Sequence, residues 1–229
     1  MKALITGVTK GIGKAIAVAL AKSGYDIIGC ARNEADLASF EVEIKSYSVN
    51  VLAIKADCSK KEEVLDFVIK AMAFAPEVDV LVNNVGIFYP GSLLDEDDDV
   101  FETQQEINVN ATYYIAKRIG KLMRTQGFGH IFNICSVASK APVENAGSYS
   151  VTKAAMLSLN HVLRRELAPH QVKVTAIIPG STYTASWEGT TLDQSKFVQP
   201  EDIAKSITTI LSLSDGANVE EVMITPSNF

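Results

Sequence analysis

Thr6-Gly7-Val8-Thr9-Lys10-Gly11-Ile12-Gly13 is the stretch whose reading decides the fold. An apolar run, Ala3-Leu4-Ile5, leads into it, and residues 12–23 carry the apolar spacing of an amphipathic helix that stops at Gly24. In a strand, glycine-rich turn and helix of this kind, the backbone can approach a pyrophosphate held at the helix N-terminus. Two motifs compete for these glycines. A phosphate-binding P-loop ends in Gly-Lys-Ser/Thr; counted back from Gly13-Lys14, its first glycine falls on Val8, and Ala15 replaces the magnesium-binding hydroxyl. That motif fails. The dinucleotide motif fits the context, with glycines at 7, 11 and 13 in place of the G-x-G-x-x-G spacing. A plain structural turn is the other reading of the same residues.

Outward from this turn, strand and helix patterns alternate to the end of the chain. Strands are expected over 3–6, 25–31, 49–56, 78–82, 130–135, 172–178 and 219–225. Helices are expected over 12–23, 34–47, 60–74, 97–126, 149–167 and 201–213. Short, mostly apolar strands suit a sheet covered on both faces. The alternation predicts a doubly wound, parallel α/β sheet. Three irregular stretches, 87–96, 137–148 and 181–199, each follow a strand and so belong at the carboxyl edge, where open α/β sheets bind ligands. The last holds Trp187, the only tryptophan, and is long enough for a variable substrate loop or lid; a surface loop is the alternative.

The chain has 229 residues, 47% of them apolar, and a net charge of −6 from 21 basic and 27 acidic residues. This suits one domain over residues 1–229. The longest apolar run, 15–21, is far short of the roughly 20 residues that a membrane span needs, so no membrane association is expected. Met1-Lys2 passes directly into the first strand, which leaves no expected signal peptide. Cys30, Cys58 and Cys135 form an odd set without CxxC spacing, as in reduced thiols of a cytoplasmic protein. The acidic balance argues against a nucleic-acid partner. His130, His161 and His170 lack ligand spacing, so no metal is expected. The run Asp95-Glu96-Asp97-Asp98-Asp99 is read as a solvated helix start.

The end of the second strand bears on which dinucleotide fits. An NAD site places an acidic residue there to bind ribose hydroxyls. Here the strand ends Cys30-Ala31-Arg32-Asn33. A guanidinium matches a 2′-phosphate in charge and in bidentate geometry, and Lys10 adds a second cation within the glycine turn. Together they point to NADP(H), although each alone is also an ordinary surface cation.

Tyr149-Ser150-Val151-Thr152-Lys153 places a tyrosine and a lysine four residues apart, on one face of a predicted helix. A free phenol titrates near pH 10 and is a poor proton donor at neutrality, whereas a neighbouring ammonium favours the phenolate. Ser136 follows the fifth strand, where its hydroxyl can bond a substrate carbonyl. Asn83-Asn84-Val85-Gly86 follows the fourth strand. Asn108 lies on the long predicted helix as a relay member or a helix–helix hydrogen bond. Pro179-Gly180-Ser181-Thr182-Tyr183-Thr184 follows the sixth strand, where it can bring backbone groups to a nicotinamide. Met123, Met156 and the thiol of Cys135 read as packing.

This spaced set resembles the short-chain dehydrogenase/reductase family in its NADP(H)-preferring form. The match runs from Leu4 to about Pro226 through Thr6-Gly7-x-x-x-Gly11-Ile12-Gly13, Asp57, Asn83-Asn84-x-Gly86, Asn108, Ser136, Tyr149-x-x-x-Lys153 and Pro179-Gly180. The resemblance implies a Rossmann-type sheet of seven strands in the order 3-2-1-4-5-6-7, with helices on both faces. It implies Tyr149 as proton donor to a carbonyl oxygen, Ser136 orienting that carbonyl, Lys153 on the nicotinamide ribose and beside the tyrosine, and Asn108 anchoring a relay water. It implies cofactor contacts at Gly7, Thr9, Lys10, Gly11, Ile12, Gly13, Arg32, Asn84, Gly86, Pro179, Gly180 and Thr182, with Asp57 and Cys58 at the adenine. A homodimer or homotetramer through helices 97–126 and 149–167 is also implied. Val85 replaces the family's alanine, and residues 219–226 lack the Val-Asp-Gly-Gly-like ending of fatty-acid-synthesis reductases.

The expected activity is NADPH-dependent reduction of a small-molecule carbonyl to an alcohol. A 3-oxoacyl-(acyl-carrier-protein) reductase and a 3-hydroxy-acid dehydrogenase or sepiapterin-reductase-like enzyme are alternatives within the family. A non-catalytic NADP(H)-binding regulator and a sugar-nucleotide epimerase lie outside this activity; the short region after Pro179 leaves the epimerase little room for a substrate domain. Val143, Trp187 and Phe197 suit an apolar substrate pocket or, equally, the core.

Overall fold

A computed structural model describes residues 1–187 and 189–227. Its elements alternate as the pattern predicts. They are β1 (Lys2–Thr6), α1 (Gly11–Lys22), β2 (Asp26–Ala31), α2 (Glu34–Lys45), β3 (Val51–Lys55), α3 (Lys61–Phe74), β4 (Val80–Asn83), α4 (Asp98–Gln104), α5 (Ala111–Gln126), β5 (Gly129–Ile134), α6 (Gly147–Leu167), β6 (Val172–Pro179), α7 (Pro200–Leu211) and β7 (Glu221–Ile224). The sheet is parallel throughout, in the order β3-β2-β1-β4-β5-β6-β7. This is the doubly wound α/β arrangement.

Successive residues of each strand point to opposite faces, and both faces are covered. Leu4, Ile28, Leu81 and Ile131 enter one apolar layer with Phe67 of α3 and Ile115 and Ile119 of α5. Ala3, Ile5, Ile27, Val82 and Phe132 enter the other, with Ile16 and Leu20 of α1, Phe40 of α2 and Ile203 and Ile207 of α7. Each fully buried large side chain contributes roughly 1.5–3 kcal/mol relative to exposure. Gly29 of β2 makes room for Val8: a β-carbon there would lie 2.6 Å from a Val8 methyl. The glycine turn is thereby seated on the sheet.

One element departs from the sequence pattern. The single helix expected over 97–126 is divided into α4, a π turn (Gln105–Asn110) and α5. The cause lies in Asn108, within the turn. Its Oδ1 accepts from the Ile87 amide at 2.7 Å, and its Nδ2 donates to the Ile87 carbonyl and to Thr152 Oγ1, both at 3.0 Å. A bulged turn accommodates that pull without ending the helix. The other boundaries lie within about two residues of expectation. Helix α6 begins at Gly147, so Tyr149 lies in its first turn.

The strand order reverses between β1 and β4, the neighbours from which the two halves of the sheet diverge. Thr6, the last residue of β1, ties this point together: its Oγ1 accepts the amides of Asn84 at 3.0 Å and Val85 at 2.9 Å, while Asn84 Nδ2 donates to the Thr6 carbonyl at 2.8 Å. Among the described residues, no helix is long and apolar enough to cross a membrane.

Candidate active site

A cleft of about 720 Å³ runs along the carboxyl edge of the strands, from the glycine turn to the start of α6. It is lined by Gly7, Thr9, Lys10, Gly11 and Ile12 after β1; Arg32 after β2; Asp57 and Cys58 after β3; Asn84 and Gly86 after β4; Ser136 after β5; Tyr149 and Lys153 on α6; and Pro179, Gly180 and Thr182 after β6. Two sequence-predicted residues stand behind the wall. Asn108 is fully buried and fastened to Ile87 and Thr152. Gly13 faces the turn from inside, where a β-carbon would lie 2.1 Å from the Gly7 carbonyl oxygen and 2.4 Å from Asn84 Nδ2.

At the glycine-turn end, Gly7 and Gly11 have φ of +71° and +53°, conformations that L side chains rarely adopt. Lys10 is exposed and forms an ion pair with Asp36 at 3.4 Å. Asp57 is held below the usual carboxylate range. Burial opposes its ionisation, but hydrogen bonds from the amide and hydroxyl of Ser59, with the charges of Arg32 and Lys60, outweigh it. Cys58 is buried against Cys30, and the hydrogen bond between them, with burial, pushes the Cys30 thiol upward. Neither forms a disulfide.

At the other end, Lys153 is only 4% exposed. Its Nζ donates to the Ile134 carbonyl at 3.0 Å, lies 3.7 Å from Met156 Sδ, and stands 5.7 Å from the Tyr149 ring centroid. An ammonium has three donors, so one N–H is left for a ligand. Gly86 lets the loop after β4 pass this point; a β-carbon there would meet Asn108 Oδ1 and Lys153 Nζ at 3.3 Å each. Ser136 caps a short 3-10 turn (Val137–Ser139), its Oγ accepting from the Ala138 amide at 3.2 Å, which leaves its O–H free to donate. Thr152 Oγ1 receives Asn108 Nδ2 and donates to the Tyr149 carbonyl at 2.9 Å, linking the π turn to the first turn of α6. Cys135 is buried, which raises its thiol to about 11.

Several residues of the cleft carried no signal in the sequence. Phe88 packs edge-on against Tyr149 with ring centroids 4.9 Å apart. Thr184, the end of the stretch singled out after the sixth strand, closes over the glycine turn; a Gly11 β-carbon would meet its methyl at 3.2 Å. Asp36 lines the cleft from α2. The loop after β6 is pinned at its base, where Tyr183 donates to the Val198 carbonyl and Val198 to the Ser181 carbonyl. Trp187 faces the cleft and packs on Phe197 at 4.7 Å, whereas Phe197 is itself buried and outside the lining. Val143 lines the cleft as anticipated. Glu188, within the expected substrate loop, and residues 228–229 of the expected domain lie outside the described residues.

The described residues contain no cluster of three metal-ligating side chains. His130 is buried, with Nε2 2.7 Å from Thr175 Oγ1, and His161 pairs with Glu221 at 2.8 Å.

Comparison with known proteins agrees with this geometry. Residues 1–195 match the family model described as short chain dehydrogenase. An uncharacterized oxidoreductase of Staphylococcus aureus is 31% identical over 224 residues, 98% of this chain and 96% of that protein. One from Staphylococcus saprophyticus is 32% identical over 225 residues, with the same coverage. Among solved structures, the alcohol dehydrogenase of the archaeon Thermococcus sibiricus, complexed with 5-hydroxy-NADP, superposes with a TM-score of 0.91 at 28% identity, covering 99% of this chain and 96% of that one. The L-sorbose reductase of Gluconobacter frateurii, complexed with NADPH and L-sorbose, gives 0.90 at 25% identity, covering 98% and 94%.

Proposed function

The chain belongs to the short chain dehydrogenase family, and we propose that within it the protein is an NADPH-dependent oxidoreductase that reduces a ketone or aldehyde to the alcohol. The observation that carries this reading is Lys153, a buried ammonium bonded to Ile134 and set beside the Tyr149 ring in the cleft that also holds the glycine turn. A buried ammonium without a carboxylate is costly unless a ligand completes its hydrogen bonds.

The residues present fit a dinucleotide phosphate. Gly7, Gly11 and Gly13 leave backbone where side chains would block a pyrophosphate at the start of α1. Arg32 and Lys10 supply charge for a 2′-phosphate, and the NADP(H) complexes of two structural relatives support that choice. Thr9, Ile12, Asn84, Gly86, Pro179, Gly180 and Thr182 line the path between the ends, with Asp57 and Cys58 toward the adenine.

When bound, the nicotinamide supplies the hydride. The Ser136 hydroxyl donates to the substrate carbonyl oxygen and holds it beside Tyr149. Tyr149 gives its proton to that oxygen as charge builds there, and Lys153 stabilises the phenolate left behind. Asn108 acts through Ile87 and Thr152 by holding the loop after β4 and the first turn of α6 in place. Tyr149→Phe tests the reading: NADPH oxidation should be abolished while NADPH binding is nearly unchanged. Substantial remaining turnover would overturn it.

Self-association belongs to the same reading. Lys117, Arg118, Lys121 and Arg124 lie along α5, while Asp98, Asp99, Glu102 and Glu106 precede it. Two copies packed antiparallel on this helix pair opposite charges about a two-fold axis. Light scattering at low salt should give at least a dimer mass; a monomer would remove the interface.

A further inference from the structure

We infer that the substrate end of the cleft selects an uncharged carbonyl compound bearing an apolar, preferably aromatic, group, and that it excludes free oxo acids and acyl groups presented by an acidic carrier protein. This inference rests on the reductase reading above.

Charge is segregated along the cleft. Lys10, Arg32, Asp36 and Asp57 line the glycine-turn end. Toward Tyr149 the described lining includes Phe88, Val137, Val143, Ala146 and Trp187, and its polar side chains, Ser136 and Ser181, Thr182 and Thr184 of the loop after β6, are uncharged. The one charged described residue there, Lys153, is buried and bonded to Ile134. A carboxylate entering this end would lose water, and the one cation there, Lys153, is buried with its remaining N–H assigned to the cofactor under the reductase reading, so the exchange is unfavourable. An aromatic or aliphatic group would instead cover Phe88 and Trp187, two rings that already tilt against neighbours (Tyr149 and Phe197) at 4.9 and 4.7 Å.

The rim works in the same direction. Among the described residues, segments 87–99, 137–148 and 181–199 carry seven acidic residues against two lysines. None of these charged residues enters the lining itself, and Lys140 is ion-paired with Glu221, which His161 also contacts, so the sign of the surroundings is acidic. A rim of this sign repels anions and any acidic protein that would deliver a tethered acyl group. In the reaction, the carbonyl carbon takes the hydride of the reduced cofactor and its oxygen takes the Tyr149 proton. Solvent then restores the proton, so the ketone is reduced and the cofactor oxidised.

Matched pairs of substrates test the inference. Purified protein is given NADPH with acetophenone or 4-acetylbenzoate, with ethyl 3-oxobutanoate or 3-oxobutanoate, and with a 3-oxobutyryl group on N-acetylcysteamine or on an acidic carrier protein. In each pair kcat/KM should favour the neutral member by about 100-fold or more. A second measurement needs no turnover. Trp187 is the only tryptophan and lines the cleft, so its fluorescence in NADP⁺-loaded protein should respond to 1-phenylethanol and hardly to 4-(1-hydroxyethyl)benzoate. Val143→Arg, at an exposed position of the wall, should raise the relative rate of the carboxylates by about 10-fold. Equal or faster turnover of the carboxylates overturns the inference and leaves the reductase reading intact. Absence of all turnover, with 1-phenylethanol still bound in preference to its carboxylate, removes the reductase reading and upholds the neutral cleft. Absence of both turnover and binding overturns the two together.

Discussion

The ammonium of Lys153 in α6 donates to the carbonyl of Ile134, the last residue of β5, at 3.0 Å. This bond fixes the helix against the strand from which Ser136 follows, and so sets Ser136, Tyr149 and Lys153 in one wall of the cleft. Lys153→Met removes the charge while keeping most of the volume. Turnover should fall by about 10²- to 10⁴-fold, whereas Tm should hold or rise, because an apolar side chain replaces a buried ammonium. Steady-state NADPH oxidation and a thermal melt read both effects; unchanged turnover would remove Lys153 from the reaction.

Gly13 and Gly24 separate space from conformation. A β-carbon at Gly13 would stand 2.1 Å from the Gly7 carbonyl oxygen, whereas Gly24 has φ +82° and nothing within 4 Å. Gly13→Ala should distort the turn and abolish NADPH binding by fluorescence titration. Gly24→Ala should cost about 1 kcal/mol of stability and leave binding unchanged. Equal NADPH affinity in both variants would show that the turn is not the phosphate site.

Arg32→Asp should invert cofactor preference. It replaces the cation at the end of β2 by a carboxylate that repels a 2′-phosphate and accepts from ribose hydroxyls. The ratio of kcat/KM with NADPH to that with NADH should drop by about 100-fold or more. An unchanged ratio would place the discrimination elsewhere.

His130 makes stability depend on pH. Burial, with a smaller contribution from Lys173, lowers its pKa from 6.5 to about 3. Thr175 donates its hydroxyl proton to the Val219 carbonyl, so His130 donates through Nε2–H to Thr175 and stays neutral in the fold. Below about pH 6.5 the unfolded chain takes up a proton that the folded chain refuses. Stability is therefore fully present above that pH and declines as pH falls toward about 3, at up to roughly 1.4 kcal/mol per pH unit. Urea unfolding of His130→Gln should show a shallower slope across pH 4–6; the same slope as wild type would overturn the assignment.

The strand and helix pattern was legible from local composition: short apolar runs in β1 and β4, which are covered on both faces, and a 3.6-residue stripe in α1. Tyr149 and Lys153 were legible because four residues of helix fix their neighbourhood locally. The π turn was not. It exists because Asn108 reaches Ile87 and Thr152, residues 21 and 44 positions away in the chain. Nothing local in the sequence marks Phe88, whose place against Tyr149 is set by the course of the loop after β4, and of the two readings open for Phe197 the fold selects core packing against Trp187.

By itself, then, the sequence determined the α/β alternation, the glycine turn that excludes a P-loop, and the tyrosine–lysine pair, because these depend on contacts within a turn or two of the chain. Only the tertiary structure decided that the loops after β1, β4, β5 and β6 meet in one cleft, that Lys153 lies buried against Ile134, and that the other charged side chains of the lining stand at the glycine-turn end. Those relationships arise from packing between residues distant in sequence, where the same residue types suit either a wall of the cleft or the core beneath it, and only the assembled sheet distinguishes them.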